Sequence, residues 1–207
     1  YLSIVNEDET LIARTRGIGK MDKETVERLG AVGPTARASG SERDLRLDAP
    51  YCLYKEFPVK LVNHTAGDLH ARFVVRIEEL FESMNNIRLV LDNMPESELT
   101  IRVPRRIPAG EVYSRVEAPR GELFYFIASS GGEKPERVRM RTPSLCNWGT
   151  ITSVVVGHKL ADMPMILSGI DPCFSCNDRL VTVRRNHYES EVWTWEQLRR
   201  YGVEYYR

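Results

Sequence analysis

Residues 68–94, DLHARFVVRIEELFESMNNIRLVLDNM, form the strongest local pattern in the chain. The pattern starts at Asp68, and Pro95 marks its end because proline interrupts a helix. Apolar side chains recur at helical spacing along one stripe, which consists of Phe73, Ile77, Leu80, Met84, Ile87 and Leu91. The sequence therefore predicts one long amphipathic helix near the middle of the chain.

Shorter elements are predicted on both sides of this helix. Residues 1–21 alternate apolar and polar side chains around an acidic turn, which predicts a hairpin that closes at Gly17 and Gly19. A short helix is predicted from its cap Asp22 to Gly30. Residues 98–144 indicate strands broken by turns, followed by a further helix. We therefore expect an α+β fold with a mainly helical core, a long central helix and small antiparallel β-hairpins.

Composition limits the kind of partner this chain can have. The 207 residues include 29 basic residues (Lys and Arg) and 29 acidic residues (Asp and Glu), and 42% of the residues are hydrophobic. The balanced charge disfavours nucleic acid, whose phosphates attract a basic excess. Apolar runs are far shorter than the ~20 residues that cross a bilayer, so membrane association has to come through other subunits. Four cysteines indicate a reducing, cytoplasmic setting. The chain begins with tyrosine, so either its start was removed or it is the later part of a longer polypeptide.

Two cysteines three positions apart lie in GIDPCFSCNDRL, residues 169–180. A lone CxxC pair is typical of half a zinc site, of a redox dithiol, or of half a site for another thiophilic metal. The sequence shows no matching second pair for zinc, and it lacks the strand–helix–strand context of a redox dithiol. Two thiolates at this spacing can bind one soft metal centre, and Pro172 restricts the backbone that directs them.

The segment DPCFSCNDR resembles the C-terminal metal-binding motif of nickel–iron hydrogenase large subunits. Arg179, where other members have histidine, points to the group 4, membrane-bound, energy-converting enzymes related to the 49 kDa subunit of respiratory complex I. Further segments are similar to parts of the same subunits, in chain order IARTRGIG, GPTARASG, RDLR, ARFVVRIEE, EAPRGEL and RTPS. Together they cover nearly all of residues 1–179, which we take as the C-terminal part of a hydrogenase large-subunit domain.

The resemblance implies roles for six residues. Cys173 and Cys176 would be the metal ligands, with Cys173 terminal on nickel and Cys176 bridging nickel to an iron that carries CN and CO. Pro119 and Arg120 would lie beside the iron, where a guanidinium can donate to a cyanide nitrogen. Asp171 would lie over the open metal position with Arg120, as the catalytic pair. Ser144 would donate to the second cyanide.

Ordinary structural explanations exist for the same residues. Outside the resemblance, an arginine in a glycine turn is usually solvated or paired at the surface. An aspartate before proline is commonly a turn former, and a serine after proline is commonly a helix cap. Cys52 and Cys146 are expected to be small buried residues rather than ligands. The four histidines share no spacing and receive no role.

The chain departs from the family pattern in two ways. Large subunits carry a second CxxC and a proton-passing glutamate nearer their N-terminus, and neither is in this sequence. We therefore expect a half-site, completed by the N-terminal part of the large subunit or by a separate chain. Residues 180–207 form a C-terminal extension of the kind that a protease removes from many members after nickel insertion. Either the chain is an unprocessed precursor or its subgroup keeps the tail, where a cap at Thr194, apolar Trp195 and Leu198 and a stop at Gly202 suit a short docking helix.

Two functions follow as hypotheses. In the first, the chain is part of the catalytic subunit of a nickel–iron hydrogenase complex, an oxidoreductase that reduces protons or oxidises hydrogen and couples this to ion translocation. The implied partners are an iron–sulfur small subunit, which holds an iron–sulfur cluster, and membrane-arm subunits. The location would be peripheral, on the cytoplasmic face of the cell membrane. In the second, the chain is a metal-free, complex I-like redox subunit, linked to quinone, sulfur or ferredoxin, that acts as a coupling scaffold.

Overall fold

The computed structural model describes residues 2–94, 96, 98, 100–178, 181–186 and 189–205. The backbone forms two compact units, Tyr1–Cys176 and Asn177–Arg207. The helices of the first unit are α1 (Leu2–Glu7), α2 (Glu9–Thr15), α3 (Lys23–Arg28), α4 (Pro34–Arg37), α5 (Leu45–Asp48), α6 (Leu69–Asp92), α7 (Pro143–Trp148), α8 (Ile151–Val155) and α9 (Met163–Ile170). Its strands are β1 (Gly110–Ala118), β2 (Gly121–Ser129) and β3 (Arg137–Arg141). Helix α10 (Phe174–Asn177) follows α9.

Helix α6 confirms the predicted long central helix. Its 24 residues begin after Asp68, whose carboxylate accepts a hydrogen bond from the Ala71 amide at 2.9 Å. Only the first two turns are deeply buried, through Leu69, Ala71, Arg72, Val74 and Val75. The predicted apolar stripe is wrong, because Phe73 and Ile77 are only half-buried and Leu80, Ile87 and Leu91 are 54%, 58% and 60% exposed. The reason is that α6 contacts α4 and α9 near its start, so its later turns extend past the core.

The predicted N-terminal hairpin is wrong, because α1 and α2 occupy this segment. The acidic residues that predicted a turn instead start a helix. Asp8 accepts a hydrogen bond from the Leu11 amide at 2.7 Å and thereby caps α2. The short helix predicted after Asp22 is confirmed as α3, with the Asp22 carboxylate 2.7 Å from the Thr25 amide.

The three strands form one antiparallel sheet in the order β1–β2–β3. Ala118 pairs with Gly121, so Pro119 and Arg120 form the two-residue turn between β1 and β2. Gly131 and Gly132 lie in the turn between β2 and β3, one of the turns expected within residues 98–144. These strands and helices confirm the α+β class.

A hydrophobic core joins α3, α4 and the residue Met21 before them to α8 and α9. It consists of Met21, Val26, Ala36, Val154, Ile166 and Ile170. A second cluster, Ala38, Ala71 and Val75, joins the end of α4 to α6. Burial of these side chains places the end of α9 beside α6 and beside the segment of residues 30–46, which includes α4. The candidate site lies there.

A buried group of five charged residues, which we call the ion cluster, connects the segment of residues 30–46 to α6 and β1. Its members are Arg37, Asp44, Arg46, Glu79 and Glu117. The Arg37 side chain is 1% exposed, and it donates to Glu79 at 2.6 Å and to Glu117 at 2.8 Å. Asp44 is also 1% exposed and lies 2.6 Å from Arg46. Opposite charges surround each buried charge, so the cost of removing it from water is offset.

We expect Asp44→Asn to lower the free energy of unfolding by about 3 kcal/mol at pH 7, because it leaves buried arginines without a balancing charge. Burial raises the pKa of Asp44, but hydrogen bonds and positive charge from Arg46 and Arg37 outweigh it and hold the pKa below its ordinary value of 3.8. A carboxylate with a lowered pKa stabilises the fold above pH 3.8 and loses that contribution as pH falls further. The difference between wild type and variant should therefore shrink below pH 3.8.

Urea unfolding from pH 3 to pH 7 measures this difference. Asp48→Asn is the matched control, since Asp48 is the exposed last residue of α5, the helix that Asp44 caps, and its replacement should change stability little. A difference that stayed constant over the whole pH range would contradict the expected role of the Asp44 charge.

The second unit contains β4 (Val181–Asn186), β5 (Glu189–Trp193) and α11 (Trp195–Tyr205), with the two strands antiparallel. The predicted cap at Thr194 is confirmed, because its hydroxyl accepts from the Gln197 amide at 3.3 Å while Gln197 accepts from the Thr194 amide at 2.7 Å. The predicted stop at Gly202 is wrong, since α11 continues to Tyr205. Arg179 and Leu180, at the expected boundary of the tail, lie outside the described residues.

Candidate metal centre

A left-handed turn at the end of α9 directs the chain toward the two thiols. Asp171 follows the helix with φ 56° and ψ 59°, and its amide donates to the Ser168 carbonyl. This conformation costs a residue with a side chain on the order of 1 kcal/mol, although aspartate tolerates it better than most. Pro172 then prevents the helix from continuing. Cys173 therefore starts a new direction of the chain.

Cys173 lies immediately before α10 and Cys176 lies inside it, so the two cysteines are within one turn of each other. Both thiols are reduced. Hydrogen bonds lower the pKa of Cys173 from 9.0 to about 7, first from the Ser175 hydroxyl and then from the backbone and side chain of Cys176. The two sulfurs are thus close to one another, and Cys173 is readily deprotonated. Phe174 between them is 96% exposed.

Arg120, at the β1–β2 turn, binds Asp171 through two hydrogen bonds. Its Nε donates to the Asp171 carbonyl at 2.8 Å, and its Nη2 donates to the Asp171 carboxylate at 3.0 Å. The fork of the guanidinium thereby fixes both the backbone and the side chain of the turn before the thiols.

Helix α7 holds the thiol segment through two hydroxyls. Ser144 is 2% exposed, and its Oγ accepts a hydrogen bond from the Cys173 amide at 3.1 Å. Thr142, just before α7, donates to the Cys176 carbonyl at 2.8 Å. A hydroxyl that accepts one hydrogen bond can still donate its own proton. Ser144 is therefore in contact with the cysteine segment and remains able to donate to a ligand there.

The backbone of Arg120 lies between two fixed neighbours. Asn147 of α7 is fully buried, accepts from the Val32 amide at 2.9 Å and donates to the Arg120 carbonyl at 3.3 Å. On the other side, Gly33 approaches so closely that an added Cβ would lie 2.5 Å from the Arg120 carbonyl oxygen and from the Gly121 Cα. This contact explains why glycine occupies position 33.

Pro119 and Asp171 line an open cavity of about 400 Å³. Its other charged lining residues are Arg37, Arg46, Arg76, Glu79 and Glu117, so positive and negative side chains are equal in number. The cavity therefore has no net attraction for either sign of ligand charge.

The donor atoms fit a soft metal as two of its ligands. Two reduced thiols in one turn can bind the same metal ion, and one of them already has a lowered pKa. In the part of the chain that the structure describes, no three or more His, Cys, Asp or Glu side chains converge as a metal site. The pair therefore fits two ligands of a metal centre, and further ligands would come from outside the described residues.

The structure brings all six predicted site residues into one region. Arg120 contacts Asp171, Ser144 contacts Cys173, and Pro119 is adjacent to Arg120 in the same turn. Their roles toward a metal stay predictions. Elsewhere, Cys52 is exposed rather than buried, whereas burial raises the pKa of Cys146 as expected for a thiol in an apolar setting.

Sequence reasoning missed Arg76, Asn147 and Ser175. Arg76 of α6 donates to the Gly169 carbonyl at 2.9 Å and lies 3.8 Å from the Asp171 carboxylate. Its signal in the sequence is an arginine four residues after Arg72, on the side of the helix where apolar residues are expected. Asn147 and Ser175 have no comparable signal.

The sequence matches a known family over most of its length. Residues 1–107 and 100–179 match the sequence model of the respiratory-chain NADH dehydrogenase 49 kDa subunit. The chain therefore belongs to this family of redox-enzyme subunits.

Relatives within the family have different names. The chain is 35% identical over 178 residues to the carbon monoxide-induced hydrogenase of Rhodospirillum rubrum, covering 86% of this chain and 49% of that protein. It is 38% identical over 173 residues to an NADH-quinone oxidoreductase component of Dehalococcoides mccartyi, covering 83% and 47%. A solved structure of the membrane-bound sulfane sulfur reductase, an archaeal respiratory membrane complex, matches with a TM-score of 0.78 and 35% identity, over 84% of this chain and 49% of that one.

These comparisons support the family and the fold. The chain spans about half the length of the curated relatives it matches. Among the residues that the structure describes, no helix combines the length and the apolar character needed to cross a membrane.

Proposed function

We propose that the chain is the part of a hydrogenase catalytic subunit that supplies two thiolate ligands to a nickel–iron centre. The observation that carries the proposal is the reduced Cys173–Cys176 pair, directed by the left-handed turn at Asp171 and held by Ser144. When bound, a nickel–iron group with CN and CO ligands supplies the chemistry of hydrogen oxidation and proton reduction.

The other residues have supporting tasks in this proposal. Arg120 orients the Asp171 carboxylate and keeps it next to the thiol segment. Its remaining guanidinium donor capacity suits a cyanide nitrogen, and the Ser144 hydroxyl suits the second cyanide. Asp171, as a carboxylate beside the thiol segment, would accept and release a proton.

The proposal includes partners and a location. Other sulfur ligands would come from the N-terminal part of the large subunit or from a separate chain. An iron–sulfur small subunit would take the electrons, and membrane-arm subunits would hold the assembly at the cytoplasmic face of the membrane. The similarity to the carbon monoxide-induced hydrogenase supports this proposal.

A metal-free redox subunit is the second candidate function. It is favoured by one observation, that the chain is similar to relatives with NADH-quinone oxidoreductase and sulfane sulfur reductase names. In this case the thiols would have no metal to bind, and the fold would couple electron transfer to the membrane arm as a scaffold.

Metal analysis of the assembled complex separates the two functions. The first predicts about one nickel per complex, bound through sulfur, since a metal that joins ligands on several segments stays with the folded assembly. Elemental analysis by mass spectrometry together with nickel X-ray absorption measures both the amount and the ligands. An active complex that contains no nickel would favour the scaffold function and reject the first.

A further inference from the structure

Arg76 is a largely buried cation in a position where its charge is costly. Burial lowers the pKa of Arg76, and the Asp171 carboxylate raises it in part. It lies in the part of α6 that packs against α9, where apolar side chains would be favoured. A charge retained at such a place calls for a specific partner.

Two of the three contacts of Arg76 are with the turn before the thiols. Its Nη1 donates to the Arg72 carbonyl at 3.1 Å, which anchors the guanidinium to its own helix. Its Nη2 donates to the Gly169 carbonyl at 2.9 Å, at the last turn of α9. Its Nε lies 3.8 Å from the Asp171 carboxylate oxygen that Arg120 does not contact. Arg76 therefore bridges the rigid helix α6 and the left-handed turn.

Two arginines from different elements thus hold the same aspartate. Arg120 reaches Asp171 from the β1–β2 turn, and Arg76 reaches it from α6. A positive φ is unfavourable for a residue with a side chain, so this turn needs contacts that over-determine it. Pro172 and Cys173 follow immediately, and any rotation at Asp171 changes the direction of the Cys173 sulfur.

We propose that Arg76 is a positioning residue that fixes the left-handed turn at Asp171 and thereby the placement of the Cys173–Cys176 pair. Arg76 acts through Asp171 and the Gly169 carbonyl. Its effect on turnover rests on the proposed metal function, whereas its effect on the placement of the thiols does not.

The test uses Arg76→Gln and Arg76→Lys in the full chain within its complex. Arg88→Gln is the matched control, because Arg88 lies exposed on the same helix, where it donates to Asn85 one turn away. We expect Arg76→Gln to lower kcat by about 10- to 100-fold with little change in KM, since small misplacement of a reacting group has effects of this size. Arg76→Lys keeps the charge without the fork and should recover part of the loss.

A second readout does not need a bound metal. The full chain without nickel is treated with iodoacetamide at one fixed pH, and mass spectrometry follows alkylation of the peptide that contains Cys173. We expect Arg76→Gln to change this rate by at least about 3-fold, because the reactivity of a thiol depends on its surroundings. Alkylation of Cys52, which is exposed, should stay the same.

The outcomes separate the two proposals. A changed alkylation rate at Cys173 with unchanged circular dichroism supports positioning, even if nickel analysis rejects the hydrogenase function. An alkylation rate equal to that of wild type in both variants overturns the inference. If Arg76→Gln does not fold, Arg76→Met, which also removes the charge, takes its place, and a wild-type rate there overturns the inference.

Discussion

Cys173→Ala is expected to remove nickel from the assembled complex and to abolish hydrogen evolution. The Cys173 thiol is readily deprotonated, because hydrogen bonds lower its pKa to about 7, and the Cys173 backbone amide donates to the buried Ser144 hydroxyl. Loss of a residue that merely orients a ligand costs about 10- to 100-fold in metal affinity, and loss of a ligand should cost more. We expect Cys176→Ala to have the same result, because both sulfurs lie in one turn and would bind the same metal in the proposed centre.

Cys52→Ala is the control for this experiment. Cys52 is exposed and distant in sequence from the thiol pair, so its replacement should leave nickel content and turnover unchanged. Elemental analysis and hydrogen evolution with a chemical reductant give the two readouts. Full activity in Cys173→Ala would reject the proposed metal centre and leave the scaffold function.

Gly33→Ala is expected to lower the free energy of unfolding by about 3 kcal/mol, the sum of a backbone and a packing effect. Gly33 has φ 66° and ψ −150°, a region that only glycine occupies readily. In addition, the new Cβ would lie 2.5 Å from the backbone of the β1–β2 turn. That backbone belongs to Arg120, so turnover should fall together with stability.

Gly30→Ala separates the two effects. Gly30 also has a positive φ, 67°, but an added Cβ would meet nothing within 4 Å. It should therefore cost only the backbone part, about 1 kcal/mol. Urea unfolding of the two variants measures the difference. Equal losses of stability would show that the close approach of Gly33 to Arg120 does not matter.

The fold was predictable where the pattern is local. The Asp68 cap and the spacing of apolar residues located α6, and the glycines and alternating residues located the sheet. The prediction of an N-terminal hairpin was wrong because apolar residues near Asp8 suit both a strand and a short helix. The helix cap that Asp8 forms with the Leu11 amide distinguishes the two. The exposed second half of α6 was unpredictable for a different reason. Periodicity identifies a face of a helix, but not how far the rest of the chain extends along it.

The candidate site was predicted through resemblance rather than through pattern. The CxxC spacing alone left zinc, redox and other metal sites open, and the similar segments selected the hydrogenase motif. What the resemblance did not provide is the support behind the site. Arg76 and Asn147 act across 93 and 27 residues of sequence, on Gly169 and Arg120, and such contacts appear only once the chain is folded.

The ion cluster makes the folding of residues 37–117 depend on contacts between distant segments. Arg37 is 42 residues from Glu79 and 80 residues from Glu117, so no contiguous segment can assemble the cluster by itself. Closing loops of this length costs conformational entropy before the ion pairs can form and offset it. A half-assembled cluster would in addition leave buried charges without partners. Intermediate states are thereby disfavoured. The segment of residues 30–46, α6 and β1 therefore fold and unfold as one cooperative unit.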